Sequence, residues 1–191
     1  ATFALVHCGL LQECTGRSAS GLFRGLSHFL KRCPSARPVT RVVLVGRQDP
    51  VTAGLVKKLG LQDVVQCVGR VSYEESLRYI ASASVCVLVE GKMAEGIYYP
   101  SKLADYVAAR KPVLAMSPAD GVVAELSRER GIFRMDADDE ESIARAISEF
   151  HQAYLSARLH EMGPSEVLVR YVSPGAVVDE LLSLAESVCQ E

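Results

Sequence analysis

The stretch VVQCVGRVSYEESLRYIASASVCVLV, residues 64–89, contains a strand pattern, a helix start and a second strand pattern. Residues 64–68 and 85–89 are short apolar runs rich in valine, which favours buried strands. Between them, Ser72-Tyr73-Glu74-Glu75 has the spacing of a capping box, so we expect a helix to begin there. A strand, a helix and a strand in this order predict two parallel strands joined by a crossover helix.

The same alternation extends from this stretch towards both ends of the chain. Apolar runs of strand length recur at residues 3–8, 41–46 and 112–116, with a short run near Ile132. Further helix starts are predicted at Asp49-Pro50, at Asp138 with Glu141 as a second capping box, and at Ser173-Pro174, while Gly60 ends the helix after Pro50. The alternation predicts an α/β fold, a Rossmann-like doubly wound parallel sheet.

Length and composition bound the organisation of the chain. With 191 residues, 49% apolar residues and a formal net charge of -2, the chain can bury one full core. We expect one ligand-binding domain over residues 1–172, followed by a C-terminal helix over residues 173–191. Acidic and basic residues are interleaved, so no nucleic acid is expected as a partner. No apolar run approaches the roughly 20 residues needed to cross a bilayer.

The cysteines indicate the compartment. The six cysteines form no C-x-x-C pair and have no histidine at zinc-ligand spacing. Cys8, Cys67 and Cys86 fall inside strand patterns, where a thiol is expected to pack as a small apolar group. These features predict a reducing, cytoplasmic location. The chain also starts without methionine and enters a strand pattern directly, which is expected of a piece of a longer protein and equally of a processed or tagged terminus.

The segment MAEGIYYPSKLADYVAARKPVLA, residues 93–115, follows a predicted strand and so lies at the edge where such sheets bind ligands. We expect a helix to begin near Pro100 or Ser101, with its free N–H groups pointing at that edge. Lys102 adds a positive charge in the first turn of this helix. These groups together predict an anion site.

The residues around this helix start narrow the ligand. An apolar face formed by Leu103, Tyr106 and Val107 is expected to pack the helix against the sheet and so to aim its N-terminus. Upstream, Glu95-Gly96 supplies a carboxylate on a turn, which suits hydroxyl groups better than phosphate. A sugar joined to a phosphate is the ligand that this combination favours.

At this point the residues resemble a known family. PSKLADYVAARKPVLA resembles the P-S-K-L-x-E-Y-x-A-x-G-K-P-V-L-A segment of the C-terminal, donor-binding half of GT-B glycosyltransferases of the family 4 (group 1) type. FALVHCGLLQECTGRSASGLFRGL is similar to the first strand, glycine loop and arginine of that half, and RVVLVGRQDP to its second strand. Residues 64–89 are similar to its base-binding turn, capped helix and next strand, and GIFRMDADDEESIARAI to the strand and helix that follow.

The resemblance implies roles for individual residues. Lys102, with the backbone of Ser101 and Leu103, is similar to the diphosphate cradle of the family. Arg17, which follows Gly9 in the first loop, resembles the basic residue that neutralises the diphosphate. The turn that holds the nucleobase corresponds to Gly69, Arg70 and Val71.

The sugar end of the site departs from the family pattern. Glu95, followed by Gly96, lies where the first glutamate of the family's E-x7-E signature meets the hydroxyl groups of the donor sugar. The second glutamate of that signature would fall at Leu103. Recognition of the ribose must then come from elsewhere, and Asp105 is the candidate.

The function implied by the resemblance is transfer of a sugar, with retention, from a nucleoside-diphosphate sugar to an acceptor held by an absent N-terminal domain. Arg17, Lys102 and Glu95 are the candidate catalytic residues. Negative charge grows on the departing β-phosphate oxygen, and the two cations would stabilise it without a metal ion or other cofactor. The C-terminal helix is expected to pack toward the absent domain, and membrane association is expected only through that missing half. This half alone is expected to bind without catalysing.

Other interpretations stay open. A nucleotide-dependent oxidoreductase would also be doubly wound, although HCGLLQECTG spaces its glycines differently from G-x-G-x-x-G. A non-catalytic nucleotide-sugar sensor would keep the same cradle without a partner domain. Arg17 and Arg70 are by default solvated loop charges.

The histidines and a D-x-D motif have structural interpretations. His7, inside a strand, is interpreted as a core histidine with satisfied hydrogen bonds, and His28, His151 and His160 are predicted on helix surfaces. DAD at residues 136–138 resembles a metal-binding D-x-D motif. We assign Asp138 to helix capping instead, so no metal ligand is predicted.

Overall fold

The computed structural model describes residues 2–13 and 16–188, so Cys14 and Cys189 lie outside the described residues. Strands and helices alternate as follows: β1 (Phe3–Cys8), α1 (Ser20–Arg32), β2 (Thr40–Val45), α2 (Pro50–Lys58), β3 (Val65–Gly69), α3 (Tyr73–Ser82), β4 (Val85–Val89), α4 (Ser101–Ala108), β5 (Val113–Met116), α5 (Val122–Leu126), β6 (Ile132–Met135), α6 (Glu140–Leu155), α7 (Glu166–Tyr171) and α8 (Pro174–Val188). Pro34–Val39 and Leu159–Met162 form short 3-10 helices. Within these residues the strands form one parallel sheet in the order β3-β2-β1-β4-β5-β6. The predicted Rossmann-like doubly wound sheet is confirmed.

Different helices cover the two faces of the sheet. Each strand contributes side chains to both faces, because successive side chains point to opposite sides of a strand. Phe3 and Leu5 of β1 lie in a core shared with α1, α2 and α6. Val6 and Cys8 lie in a second core, shared with α3, α4, α5 and α7. The central strands are buried on both faces, which explains their nearly continuous apolar sequence.

Most of the local signals predicted from the sequence are confirmed. Asp49 and Ser72 accept hydrogen bonds from backbone N–H groups in the first turns of α2 and α3. Gly60 has φ +65 just after α2, a conformation that glycine adopts without strain. Helix α8 begins at Pro174, with the Ser173 hydroxyl accepting a backbone hydrogen bond in its first turn.

The predicted cap of α6 is wrong by one residue. The Asp139 side chain accepts a hydrogen bond from the Ser142 N–H at 2.9 Å and caps the helix. The Asp138 carboxylate instead pairs with the Lys92 ammonium at 2.7 Å. Adjacent aspartates offer the helix two possible caps, and the path of the chain after β6 selects the second.

Two predictions of exposure are also wrong. His151 was predicted on a helix surface, but it is buried, with Phe3 and Phe29 within aromatic contact. It is buried because α1 packs against α6. Cys67 was predicted to pack as an apolar group, but it is exposed because β3 is an edge strand.

Helix α8 follows the sheet domain and contacts α7. Its apolar side chains include exposed residues: Val177, Val178, Leu181 and Leu182. None of the described helices has the length and hydropathy of a membrane span. Packing of α8 toward another domain stays a prediction, as does the cytoplasmic location.

Candidate functional site

The groove between β1 and β4 lies where the winding of the chain changes direction. Helix α1 follows β1 and packs on one face of the sheet, whereas α4 follows β4 and packs on the other. The loops that leave these two neighbouring strands therefore diverge at the carboxyl edge and leave a groove. Gly9 follows β1, Glu90 follows β4, and Ser101 and Lys102 at the start of α4 line the groove.

Helix α4 is held against the ends of both strands. Its apolar face is buried as predicted: Leu103, Tyr106 and Val107. The Tyr106 hydroxyl accepts a hydrogen bond from the Cys8 N–H at 3.0 Å and lies 3.4 Å from the Val87 carbonyl oxygen, to which it donates. Tyr106 lies one helical turn after Lys102, so these bonds fix the direction of the first turn of α4.

The start of α4 presents unpaired donors to the groove. The N–H groups of Ser101 and Lys102 have no acceptor among the described residues, as is usual in the first turn of a helix. The Leu103 N–H donates to the Pro100 carbonyl at 2.8 Å, so this member of the predicted cradle is already paired. The positive end of the helix and two N–H groups remain for an anion.

The Lys102 ammonium lies beside the backbone of Gly9. A Cβ atom on Gly9 would stand 2.1 Å from Lys102 Nζ, and Gly9 has φ +143. Only a residue without a side chain leaves room for the lysine in this position. Gly9 therefore has a steric role that sequence reasoning did not identify.

Lys102 and Arg17 are neighbouring positive charges without carboxylate partners. Neither belongs to an ion pair within residues 2–13 and 16–188, and both line one cleft of about 280 Å³. Burial, and then the positive charge of Arg17, lowers the pKa of Lys102. We call these two side chains, with the N–H groups of Ser101 and Lys102, the cationic cradle. A bound anion would relieve their mutual repulsion.

His7 lies beneath the cationic cradle and is completely buried. Its Nδ1 is 3.0 Å from the Val87 carbonyl oxygen, so Nδ1 carries the proton and donates. Its Nε2 has no hydrogen-bond partner among the described residues. Burial, and then the charge of Lys102, lowers the pKa of His7 to about 3, so the imidazole is neutral. The predicted satisfied core histidine is therefore satisfied at only one ring nitrogen.

From Lys102 the groove continues toward the ends of β2 and β3, as a cleft of about 410 Å³. Gly69 has φ +83 and nothing within 4 Å of the position of its absent Cβ, so a flat ligand can approach its backbone. Arg70 and Val71 line this cleft, with Arg70 exposed. The Asp105 carboxylate lies there too and accepts a hydrogen bond from the Tyr73 hydroxyl at 2.8 Å.

In the other direction the groove reaches Glu90 and the end of β5. The half-buried Glu90 carboxylate accepts a hydrogen bond from Ser117 Oγ at 2.6 Å, and burial raises the pKa of Glu90. Glu90 lines the same cleft as Lys102 and also an adjoining cleft of about 250 Å³ that includes Ser117 and Asp136. Sequence reasoning missed Glu90 and Ser117. A glutamate placed directly after a buried strand at the ligand edge was the available signal.

Glu95 and Gly96 lie on the outer part of the same loop. Glu95 is exposed and is not among the residues that line these three clefts. Gly96 is buried because its N–H donates to the Asp120 carbonyl and its carbonyl accepts from the Val122 N–H, both at 2.9 Å. Gly96 therefore anchors the loop after β4 to the loop after β5. The structure brings Arg17, Lys102 and Glu90 together, and leaves Glu95 outside that cluster.

Solved structures match the chain over nearly its whole length. No protein-family model and no curated protein matches it. Anabaena HepE in complex with UDP matches with a TM-score of 0.72 and 16% identity, over 100% of this chain and 49% of HepE. A UDP-forming α,α-trehalose-phosphate synthase from Burkholderia xenovorans matches with a TM-score of 0.67 and 13% identity, over 95% of this chain and 44% of the synthase. The pneumococcal O-GlcNAc transferase GtfA in complex with UDP and GlcNAc matches with a TM-score of 0.63 and 15% identity, over 98% of this chain and 35% of GtfA.

These neighbours are GT-B glycosyltransferases. This chain has the fold of one half of a GT-B glycosyltransferase. It spans about half the length of HepE, with which it shares the α/β sheet and flanking helices. The half-GT-B fold predicted from the resemblance is confirmed, and the groove at the β1–β4 switch point is the candidate site of this GT-B half.

Proposed function

We propose that this GT-B half binds a nucleoside-diphosphate sugar and forms the donor half of a glycosyltransferase. The observation that carries the proposal is the cationic cradle, in which Lys102 and Arg17 lie together at a helix N-terminus and neither forms an ion pair with a carboxylate of the described residues. A diphosphate has the charge and the acceptor oxygens that these groups lack. The UDP complexes of HepE and GtfA support a nucleotide ligand for this fold.

The donor extends along the groove in both directions from the cradle. The nucleobase lies against the backbone of Gly69, Arg70 and Val71, where the groove is open. Asp105 faces the same cleft and serves the ribose, in exchange for its bond to Tyr73. The sugar lies toward Glu90, with Glu95 on the outer loop as the second candidate for its hydroxyl groups.

Transfer of the sugar places negative charge on the departing β-phosphate oxygen. Lys102, Arg17 and the free N–H groups of α4 are held in place before the reaction, so they stabilise this charge more in the transition state than in the ground state. Protein cations suffice for this task, and the reaction is proposed to proceed with retention and without a metal ion. The acceptor is held by a second half, toward which the exposed apolar side of α8 packs.

Calorimetric titration of the chain with UDP, uridine and inorganic pyrophosphate tests donor binding. UDP is expected to bind much more tightly than uridine, and pyrophosphate is expected to compete with it. Parallel titrations with GDP, ADP, CMP and dTDP identify the base, and repetition in EDTA tests metal independence. Equal affinity for UDP and uridine, or no binding of any nucleoside diphosphate, would contradict the proposal.

A non-catalytic nucleotide-sugar-binding module is the second candidate. It is favoured by the exposed position of Glu95 and by Leu103 at the second position of the E-x7-E signature. Such a module would show the same binding in the titrations. An assay of UDP release, made on the chain joined to its second half, distinguishes the transferase from the binding module. Only a transferase would release UDP from a bound nucleotide sugar in the presence of an acceptor.

A further inference from the structure

A buried hydrogen-bond acceptor lies beneath the cationic cradle, and the binding proposed above does not use it. His7 is on β1 near the carboxyl end of the sheet, it is completely buried, and its ring is bonded to the Val87 carbonyl of β4. A fully buried nitrogen without a partner is uncommon, because the loss of its hydrogen bond to water is not recovered. The missing hydrogen bond of Nε2 therefore needs a functional or structural explanation.

The tautomer of His7 is fixed by its one hydrogen bond. The Val87 carbonyl can only accept, so Nδ1 carries the hydrogen. In the neutral ring, Nε2 is then an acceptor with a free lone pair. An acceptor in this position suits a cationic donor.

Lys102 is a cationic donor close to that lone pair. The same point, the position of the absent Gly9 Cβ, is 2.1 Å from Lys102 Nζ and 3.5 Å from His7 Nε2. The two nitrogens are therefore near neighbours across the open side of Gly9. No hydrogen bond joins the two nitrogens in the structure, so the contact requires a rotation about the end of the lysine side chain.

We propose that His7 is a positioning residue for Lys102, in which Nε2 accepts one N–H of the ammonium and leaves the other two for a bound diphosphate. This inference rests on the proposed function of the groove. A neutral acceptor holds the lysine without cancelling its charge, whereas a carboxylate here would form an ion pair and compete with the diphosphate. Holding a flexible side chain in its binding position reduces the ordering cost of binding.

Two substitutions at His7 separate its ring nitrogens. In His7→Asn the side-chain amide can still donate to Val87 but does not reach the position of Nε2. In His7→Gln the amide reaches that position and offers an acceptor to Lys102. The pair therefore changes the proposed contact while both variants remain polar.

Titration with inorganic pyrophosphate, which touches only the cradle, tests the proposal. We expect His7→Asn to weaken pyrophosphate binding by roughly two- to tenfold, the effect of one hydrogen bond, and His7→Gln to keep most of the affinity. In a Lys102→Ala background His7→Asn should have no further effect on affinity. Equal losses in both backgrounds, or no loss with His7→Asn, would overturn the role of His7.

The outcome is separable from that of the proposed function. If Lys102→Ala itself leaves pyrophosphate binding unchanged, the proposed role of the cationic cradle is wrong and the inference about His7 fails with it. If Lys102→Ala weakens binding and only His7→Asn leaves it unchanged, the cationic cradle is supported and the inference about His7 alone fails. Nitrogen NMR of His7 in the wild type and in Lys102→Ala provides a measurement that does not depend on substitution of His7. The Nδ1–H tautomer and a shift of the Nε2 signal on loss of the lysine are expected, and an unchanged Nε2 signal would contradict the contact.

Discussion

Positively charged side chains form ion pairs on the surface of α1 and α6 but not in the cationic cradle. On the surface, Arg24 pairs with Glu140 at 2.8 Å and Arg32 with Glu141 at 2.6 Å, so each cation has a carboxylate. In the cradle, Lys102 and Arg17 are neighbours, and neither forms an ion pair with a carboxylate among the described residues, although Glu90 lines the same cleft.

The difference distinguishes a solvated surface from a binding site. Exposed ion pairs add little stability, since water and salt screen them. Lys102 is partly removed from water, so leaving it unpaired next to Arg17 costs free energy in the empty protein. An anion that binds at this helix N-terminus would remove the repulsion between the two cations, and this gain in free energy would favour binding.

The largest expected effect is the loss of UDP affinity in Lys102→Ala. Removing a charge-assisted contact worth roughly 1.5 to 3 kcal/mol corresponds to about a tenfold to hundredfold loss. Arg17→Ala should act in the same direction, and the double variant should lose less than the sum, because both cations contact one diphosphate. Calorimetry on Arg24→Ala supplies the control, for which no change in affinity is expected. Equal effects of Lys102→Ala and Arg24→Ala would erase the contrast between the two regions.

A comparable loss of UDP affinity is expected when a side chain at position 9 displaces Lys102. In Gly9→Ala the new Cβ would overlap Lys102 Nζ, so the lysine is displaced from the groove. The alanine would also have to adopt φ +143, which a residue with a side chain rarely does. Gly54→Ala is the matched control, because Gly54 lies within α2 with nothing within 4 Å of its absent Cβ. That variant should bind UDP normally and unfold at a slightly higher temperature. Normal UDP binding by Gly9→Ala would mean that the lysine position is not needed.

A smaller, ligand-selective effect is expected at the carboxylates beside the cradle. Glu90→Gln should weaken UDP-glucose several-fold and leave UDP nearly unchanged, because a carboxylate accepts stronger hydrogen bonds from hydroxyl groups than an amide does. Glu95→Gln is the comparison, since Glu95 lies on the same loop outside the clefts. The ratio of UDP-glucose to UDP affinity is the measurement, and we expect it to change more at Glu90. A larger change at Glu95 would favour the assignment made from the family resemblance.

The smallest expected effect concerns stability on the α1–α6 side. Burial lowers the pKa of His151, so the folded state resists its protonation while the unfolded chain binds a proton below about pH 6.5. Stability is therefore expected to fall as the pH drops below that value, and His7 adds to the fall until about pH 3. Urea unfolding at about pH 7.5 and pH 5 should show the loss, and His151→Phe should reduce it. The exposed His160→Gln variant is the control, and a His151→Phe variant with the wild-type pH dependence would contradict the explanation.

The sequence alone determined the alternation of strands and helices and most of the caps. Valine-rich runs, the Asp49 and Ser72 caps and the apolar face of α4 are local signals, readable because their physical cause lies within a few neighbouring residues. The parallel direction of the strands then followed from general rules for crossover connections, whereas the order of the strands was seen only in the structure. Lys102 could be identified as a candidate for the same reason, since a helix start and its charges are local features, whereas Arg17 was indicated by the family resemblance.

Only the tertiary structure decided which side chains meet. Lys102 is distant along the chain from His7 and Gly9, and it becomes their neighbour because β1 and β4 pair and Tyr106 ties α4 to both strands. The selection of Glu90 over Glu95 for the groove depends on Gly96 pairing with the loop after β5, and the burial of His151 depends on α1 packing on α6. These outcomes depend on contacts between elements, which a periodic pattern within one element does not contain.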